Sequence, residues 1–214
     1  MIKKLALLFA VSGMLLIAKA DTVTQLYSSA STTTNNSIAE GIADAGTTVN
    51  IDTNPAWFGP LRNSSWVSFT DTGNPSDPSF YTVPNGTFVT FAQTFTLTGG
   101  TITSASLDVL ADDTTSIAVN GVQIFAAELI GPYPTCSIST VGCLSTTEGI
   151  FDTAQLAPYL NANGSNTIDF TAYQEDGSSY GLDYSGTVTT TPEPGTFVLI
   201  GAGLLALALL KFRA

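Results

Sequence analysis

The chain has 214 residues, only 11% of them charged, a formal net charge of −11 and no histidine. The missing histidine excludes Ser-His-Asp and Cys-His catalytic arrangements and every imidazole-ligated metal site. Five of the six basic residues (Lys3, Lys4, Lys19, Lys211 and Arg213) lie in the terminal segments, so Asp21–Thr191 sets Arg62 against 16 acids, a net −15. Such a surface repels nucleic acid and anionic headgroups through their phosphates, and favours cations or neutral ligands.

The chain starts with a basic stretch, Met1–Lys4, followed by an apolar run, Leu5–Ile17, broken only by Ser12 and Gly13. Ala18-Lys19-Ala20 has the small-x-small pattern of a cleavage site. Together these predict an export signal over 1–20, a substrate of the general secretion machinery, cut between Ala20 and Asp21. As a helix the run rises about 20 Å, short of a bilayer core of about 30 Å.

Residues 21–53 read as a polar lead-in with a possible first strand. Within it, Ser28–Ser37 is a Ser/Thr/Asn run of the kind found in flexible lead-ins or outer loops. Residues 54–190 read as one all-β domain. Trp66–Thr70, Thr87–Leu97, Thr103–Ala111 and Asn166–Tyr173 alternate apolar with polar, and Tyr180–Thr190 makes a last strand. Ser116–Val119 and Val122–Phe125 flank Asn120-Gly121, a type I′ hairpin signature because both turn residues need positive φ. Helix signals are confined to a turn or two over Thr153–Leu160. Strands at this spacing, with Gly and Asn turns, predict a β-sandwich. Cys136 and Cys143 sit in an insert, 129–148; their spacing fits neither a zinc knuckle nor a C-x-x-C redox motif, and in an exported chain it predicts a local disulfide.

The tail, 191–214, has three ordered parts. Pro192-Glu193-Pro194 holds the junction extended and keeps a helix from starting before it. Phe197–Leu210 is uncharged and would rise about 21 Å as a helix, a marginal single transmembrane span. Lys211 and Arg213 then place the end on the cytoplasmic side by the positive-inside rule.

This order resembles the sorting tail of the PEP-CTERM proteins, exported proteins of exopolysaccharide-making bacteria. The resemblance implies that Pro192, Glu193 and Pro194 are recognised by an exosortase-like membrane transpeptidase. The domain resembles the galactose-binding-like jelly rolls that often precede such tails. That likeness rests on Trp57 and Trp66, Thr94–Leu97, Ala105–Leu107, Ala111–Asp113, Val119–Gly121, Asn163–Ile168 and Tyr180–Leu182. It implies a jelly-roll β-sandwich, and related folds often hold a structural calcium.

Three kinds of site are worth testing. Asp108, Asp112 and Asp113 offer oxygen ligands to a Ca²⁺ ion, as does Glu175-Asp176-Gly177, although there is no Asp-x-Asp-x-Asp-Gly loop. Trp57, Phe58, Trp66, Tyr81, Tyr133, Tyr159, Tyr173, Tyr180 and Tyr184 are candidate sugar-stacking surfaces or core. Asp112 with Asp169 or Glu175 would be carboxylate pairs for glycoside hydrolysis, but nothing in the spacing favours any pair. The expectation is therefore a non-catalytic envelope or matrix protein, sorted by its tail, held to the membrane before processing and associated with exopolysaccharide. A displayed carbohydrate-binding module is the alternative.

Overall fold

The computed structural model describes residues 21–38, 46–129, 135–175, 177–191 and 203. The expected signal helix and transmembrane helix, the cleavage junction at Ala20, the sorting residues Pro192, Glu193 and Pro194, and Lys211 and Arg213 lie outside the described residues. Among the described residues no helix is long and apolar enough to cross a membrane.

Two antiparallel sheets face each other. The first has six strands: β1 (Thr22–Tyr27), β3 (Val49–Asn50), β4 (Val67–Ser68), β6 (Thr101–Asp112), β9 (Gly149–Phe151) and β11 (Gly181–Thr191). Its order is β3-β4-β11-β6-β9, and β1 also pairs with β11. The second sheet, in the order β2-β5-β10-β7-β8, is built from β2 (Thr34–Ile38), β5 (Phe88–Thr96), β10 (Ser165–Tyr173), β7 (Thr114–Val119) and β8 (Val122–Phe125). From β4 onward the strands divide as β4-β11-β6-β9 against β5-β10-β7-β8, the two interleaved Greek keys of a jelly roll.

Period-2 alternation explains the interior. Val89, Phe91 and Phe95 point inward from β5, and Ile168, Phe170 and Ala172 from β10. Ala105, Leu107, Val109 and Ala111 meet them from β6, with Leu182, Tyr184 and Val188 from β11. Phe170 stacks on Tyr184 across the sandwich, ring centroids 4.4 Å apart. The buried phenols are satisfied: Tyr180 donates to the Ala172 carbonyl at 2.8 Å, and Tyr184 shares a 2.7 Å bond with Thr33. Burial pushes both hydroxyls above the ordinary phenol range.

The expected hairpin is present: Asn120 and Gly121 have φ of 51° and 78° between β7 and β8. The short helix α1 (Thr153–Leu156) is also present, capped by Asp152, which accepts from Ala154 N and Gln155 N. The lead-in differs from the polar-run reading. Residues 22–27 are a strand against β11, and 34–38 a strand against β5. A sheet edge takes a polar strand readily because only one side chain in two faces the interior. Here the inward position of β1 is filled by Leu26, 1% exposed. The Trp66–Thr70 strand shrinks to the two residues of β4, which pair with β3 through Val49 and Asn50 and with β11 through Leu182.

Candidate functional site

The outward faces of the two sheets differ. On the six-stranded sheet the outward residues of β6 are Asp108, Leu110 and Asp112, opposite Ser185, Asp183 and Gly181 of β11. A second apolar layer covers this face: Ile51, Trp57, Trp66, Leu110 and Cys143 form a buried cluster separate from the sandwich interior. The two indoles lie 4.3 Å apart. Gly181 makes room for them, since a Cβ there would stand 3.1 Å from Ile51, Trp57 and Trp66.

Buried carboxylates tie this layer down. Trp57 Nε1 donates to Asp112 Oδ2 at 2.9 Å. Asp113 accepts from Cys136 N at 3.2 Å and from Glu175 N at 2.7 Å. Asp183 accepts from Leu61 N at 2.8 Å and Ser28 Oγ at 2.7 Å. The Cys136–Cys143 disulfide is present, with Cα atoms 5.0 Å apart. Around it the insert bonds to the sheet and the loop: Ala111 N donates to Gly142 O and Phe58 N to Cys143 O. Removing the disulfide with Cys136→Ser/Cys143→Ser should lower stability by about 2.5 kcal/mol, the loop-closure entropy of so short a ring. Urea denaturation measures it; an unchanged midpoint would show that the insert is held without the bridge.

The calcium candidates do not converge. Asp108 and Asp112 are four residues apart on one strand, roughly 13 Å at 3.3 Å per residue. Asp112 and Asp113 accept hydrogen bonds from Trp57, Cys136 and Glu175. Among the described residues, the grouping with metal-ligand proximity is Asp112 with Cys136 and Cys143. Its sulfurs are bonded to each other, so they offer no thiolate. Glu175 contributes its backbone N–H at this end, and Asp176 lies outside the described residues. The Asp112–Asp169 pair does not form: Asp112 lies on the covered face of the first sheet and Asp169 on the outward face of the second.

Asp108, Glu148 and Asp183 are raised above the ordinary carboxylate range, by burial first. The charges of Asp108 and Asp183 raise Glu148 further, while hydrogen bonds pull Asp183 partly back. Asp169 is raised by burial as well, against a hydrogen bond with Asn36. Asp77, exposed and hydrogen-bonded to Ser79, moves the other way. A carboxyl raised in the folded state binds a proton that the unfolded chain has already released. Its stabilisation is therefore complete below the unfolded value, about 4, and is lost as pH rises through the folded value. The melting temperature should rise as pH is lowered from neutrality toward the ordinary carboxylate range at constant ionic strength. A steady fall over that range would contradict this reading.

The outward face of the five-stranded sheet is polar and partly covered, with Ala92 2% and Thr114 0% exposed. Along the strands its cross-strand rows run Phe88–Tyr173–Thr114, then Thr90–Thr171–Ser116, then Ala92–Asp169–Ala118, with Thr94–Thr167 beyond. Thr90 and Thr171 share a 2.8 Å bond, and Thr94 and Thr167 a 3.3 Å bond. Phe88 is 44% exposed and packs on Tyr173, centroids 5.9 Å apart. Of the aromatic candidates, Trp57, Trp66, Tyr180 and Tyr184 are buried, whereas Phe58, Tyr81 and Tyr159 are exposed, and Tyr173 is half-buried on this face. Tyr133 lies outside the described residues. Sequence reading passed over Phe88 and weighed Asp169 only as half of a pair. The available signal was the outward register of Asn166–Tyr173, where Asp169 is the single charge among hydroxyls.

Part of the chain is similar to a Streptomyces avermitilis α-L-rhamnosidase, with 21% identity, a TM-score of 0.43, and coverage of 64% of this chain and 12% of that one. The chain thus spans a small part of that enzyme's length. It is also similar to a family 35 carbohydrate-binding module from Clostridium thermocellum, with 16% identity, a TM-score of 0.35, and coverage of 79% of this chain and 100% of that one. No curated protein matches the sequence. Residues 190–213 match the PEP-CTERM protein-sorting motif, which begins on the last two residues of β11, so this chain is a β-sandwich carrying a PEP-CTERM sorting tail.

Proposed function

We propose that this is an exported, non-catalytic protein displayed at the cell envelope. Its tail is handed to an exosortase-like membrane transpeptidase, and its sandwich serves as a structural element in exopolysaccharide. The observation that carries this reading is the sorting motif at 190–213. The sandwich supports it. The bonded carboxylates Asp112, Asp113 and Asp183 hold loops in place, and the insert is stapled by a disulfide suited to an oxidising compartment. In this reading the leader, 1–20, is removed and the tail anchors the chain until processing.

The test is cell fractionation followed by intact mass of the exported protein. A mature chain starting at Asp21 and ending near Pro192–Pro194 is the expected result, and Glu193→Ala should leave the tail attached. Protein found in the cytoplasm with residues 1–20 intact would end the proposal. A second reading, a carbohydrate-binding module with the same address, draws on the hydroxyl-bearing outward face of the five-stranded sheet and the Phe88–Tyr173 pair on it.

A further inference from the structure

We infer that the end of the sandwich from which the tail leaves is a membrane-apposed surface: an uncharged rim that rests on the anionic headgroups of the bilayer holding the tail, with Tyr159 and Val122 at the contact and the acidic end pointing away. The inference rests on the reading of the tail as an anchor before processing.

The register decides which residues share that end. β11 runs from Gly181 opposite Asp112 to Thr191 opposite Thr101, and Thr22 stands opposite Thr190. On the other sheet β10 starts where β5 finishes, Ser165 opposite Thr96, and 97–100 turn from β5 into β6. The loops that close this end are bonded to one another. Leu97 N donates to Gly164 O and Gly99 N to Ala162 O, both at 3.0 Å. Asn166, 1% exposed, accepts from Asn161 N at 2.7 Å and from Asn120 Nδ2 at 2.9 Å. Asn120 also donates to Tyr159 O at 2.8 Å. The hairpin turn, the 97–100 turn and the 157–164 loop therefore form one fixed rim.

Charge selects the occupant. Residues 96–101, 119–122 and 153–167 hold no acid and no base. Asp21 and Asp152 flank the rim, and Asp152 is occupied capping α1. The opposite end carries Asp52, Asp71, Asp77, Asp112, Asp113 and Glu175, about 33 Å away along the eleven residues of β11. Phe58, Tyr81 and Phe88 are exposed as well, but they lie toward these acids. An anionic surface repels carboxylates brought within a Debye length, about 10 Å, which leaves the neutral rim as the end that approaches it. The tether agrees. Five residues, 192–196, separate β11 from the apolar run, a reach of about 18 Å at full extension. So short a link keeps the rim near the headgroups, and the charge distribution then holds the domain upright. Tyr159, 39% exposed, brings an amphipathic ring of the kind that settles at that boundary, with Val122, 49% exposed, beside the hairpin turn.

Tryptophan fluorescence of the exported chain, tail attached, tests this in vesicles of equal parts phosphatidylcholine and phosphatidylglycerol, with a headgroup spin-labelled lipid as short-range quencher. Wild type should stay unquenched, since Trp57 and Trp66 pack beside Gly181 at the acidic end. Tyr159→Trp should add emission that the quencher lowers several-fold. Tyr159→Trp with Asn163→Glu, which puts an acid on the exposed rim, should lose most of that quenching. The loss should vanish in vesicles of phosphatidylcholine alone. Tyr159→Trp with Ile138→Glu, in the insert, should be quenched like Tyr159→Trp, and circular dichroism should show every variant folded. If the chain floats with the vesicles but the Tyr159→Trp emission is unquenched, or wild type is quenched as strongly, this inference fails and the anchor stands. If Asn163→Glu changes nothing, charge does not orient the domain and the inference fails as well. If the chain does not float at all, the anchor reading falls and takes the inference with it. A dimer by sedimentation in detergent, with the Tyr159→Trp emission unquenched in vesicles, would give the rim to a second copy and overturn the inference.

Discussion

Asp183→Ala should destabilise the protein by about 3–5 kcal/mol, because removing a buried acceptor strands each donor that faced it. The carboxylate lies on β11, fully buried between the sheet and the loop that carries Leu61. One oxygen takes the Leu61 N–H, and the other takes Ser28 Oγ, whose own oxygen accepts from Tyr184 N at 3.1 Å. Ser28 also joins Ser65 through its backbone, so one side chain fastens β1, β11 and the 61–66 loop. Asp183→Asn keeps the shape and one acceptor oxygen but turns an NH₂ toward a donor. It should recover about half the loss, since roughly half the hydrogen bonding survives. The carboxyl sits above its ordinary pKa, so as pH is lowered from neutrality toward the ordinary carboxylate range the folded wild type takes up its proton before the unfolded chain does, and the amide cannot. The stability gap between wild type and Asp183→Asn should therefore widen over that range. Urea denaturation at two pH values reads all three effects. A loss under about 1 kcal/mol for the alanine variant would show that solvent replaces these bonds, and the fastening role would go with it.

Trp66→Ala should cost about 3–5 kcal/mol, the range for truncating a buried large aromatic. The indole is 1% exposed, packs on Trp57 and Gly181, and donates to the Phe58 carbonyl at 3.1 Å. The effect reaches beyond the cavity. With Trp66 gone, Trp57 loses its neighbour and the insert loses the surface against which Cys143 is buried. Near-ultraviolet circular dichroism should lose most of its tryptophan signal, while the far-ultraviolet strand signal stays. Retention of the full near-ultraviolet spectrum would mean that Trp57 holds its position without help, and that the outer layer is not one packed unit.

The long strands were legible because their alternation is clean: Phe91, Phe95, Ile168, Phe170, Leu107 and Val109 all point inward where period 2 places them. The Asn120-Gly121 turn was legible for the same local reason. The polar edge strand of Thr34–Ile38 was not, since its partners on β5 lie 51 to 58 residues away and its composition is that of a loop. The outer layer was harder still. Trp57, Trp66 and Cys143 come from irregular segments with no period, so sequence could not separate core from stacking platform. Asp183 was passed over for the reverse reason: a lone acid in an alternating strand looks solvent-facing, and only the loop folded across it makes it buried. The Ala92–Asp169–Ala118 row was half legible, since its residues lie in recognised strands while the row itself exists only through pairing.

The position of β11 matters mechanically. The sorting motif begins at residue 190, inside a strand that pairs with β6 over eleven residues on one edge and with β1 over six on the other. If the tail is tethered, drag on the sandwich is transmitted along β11 itself. Its ladder bonds run perpendicular to the strand, so such a pull shears many of them together and does not peel them one at a time. Rupture under load is then governed by the unfolding rate of the whole six-stranded sheet. A domain built this way resists flow at its attachment point through its most heavily paired strand, with Thr22 alongside Thr190 at the same end of the ladder.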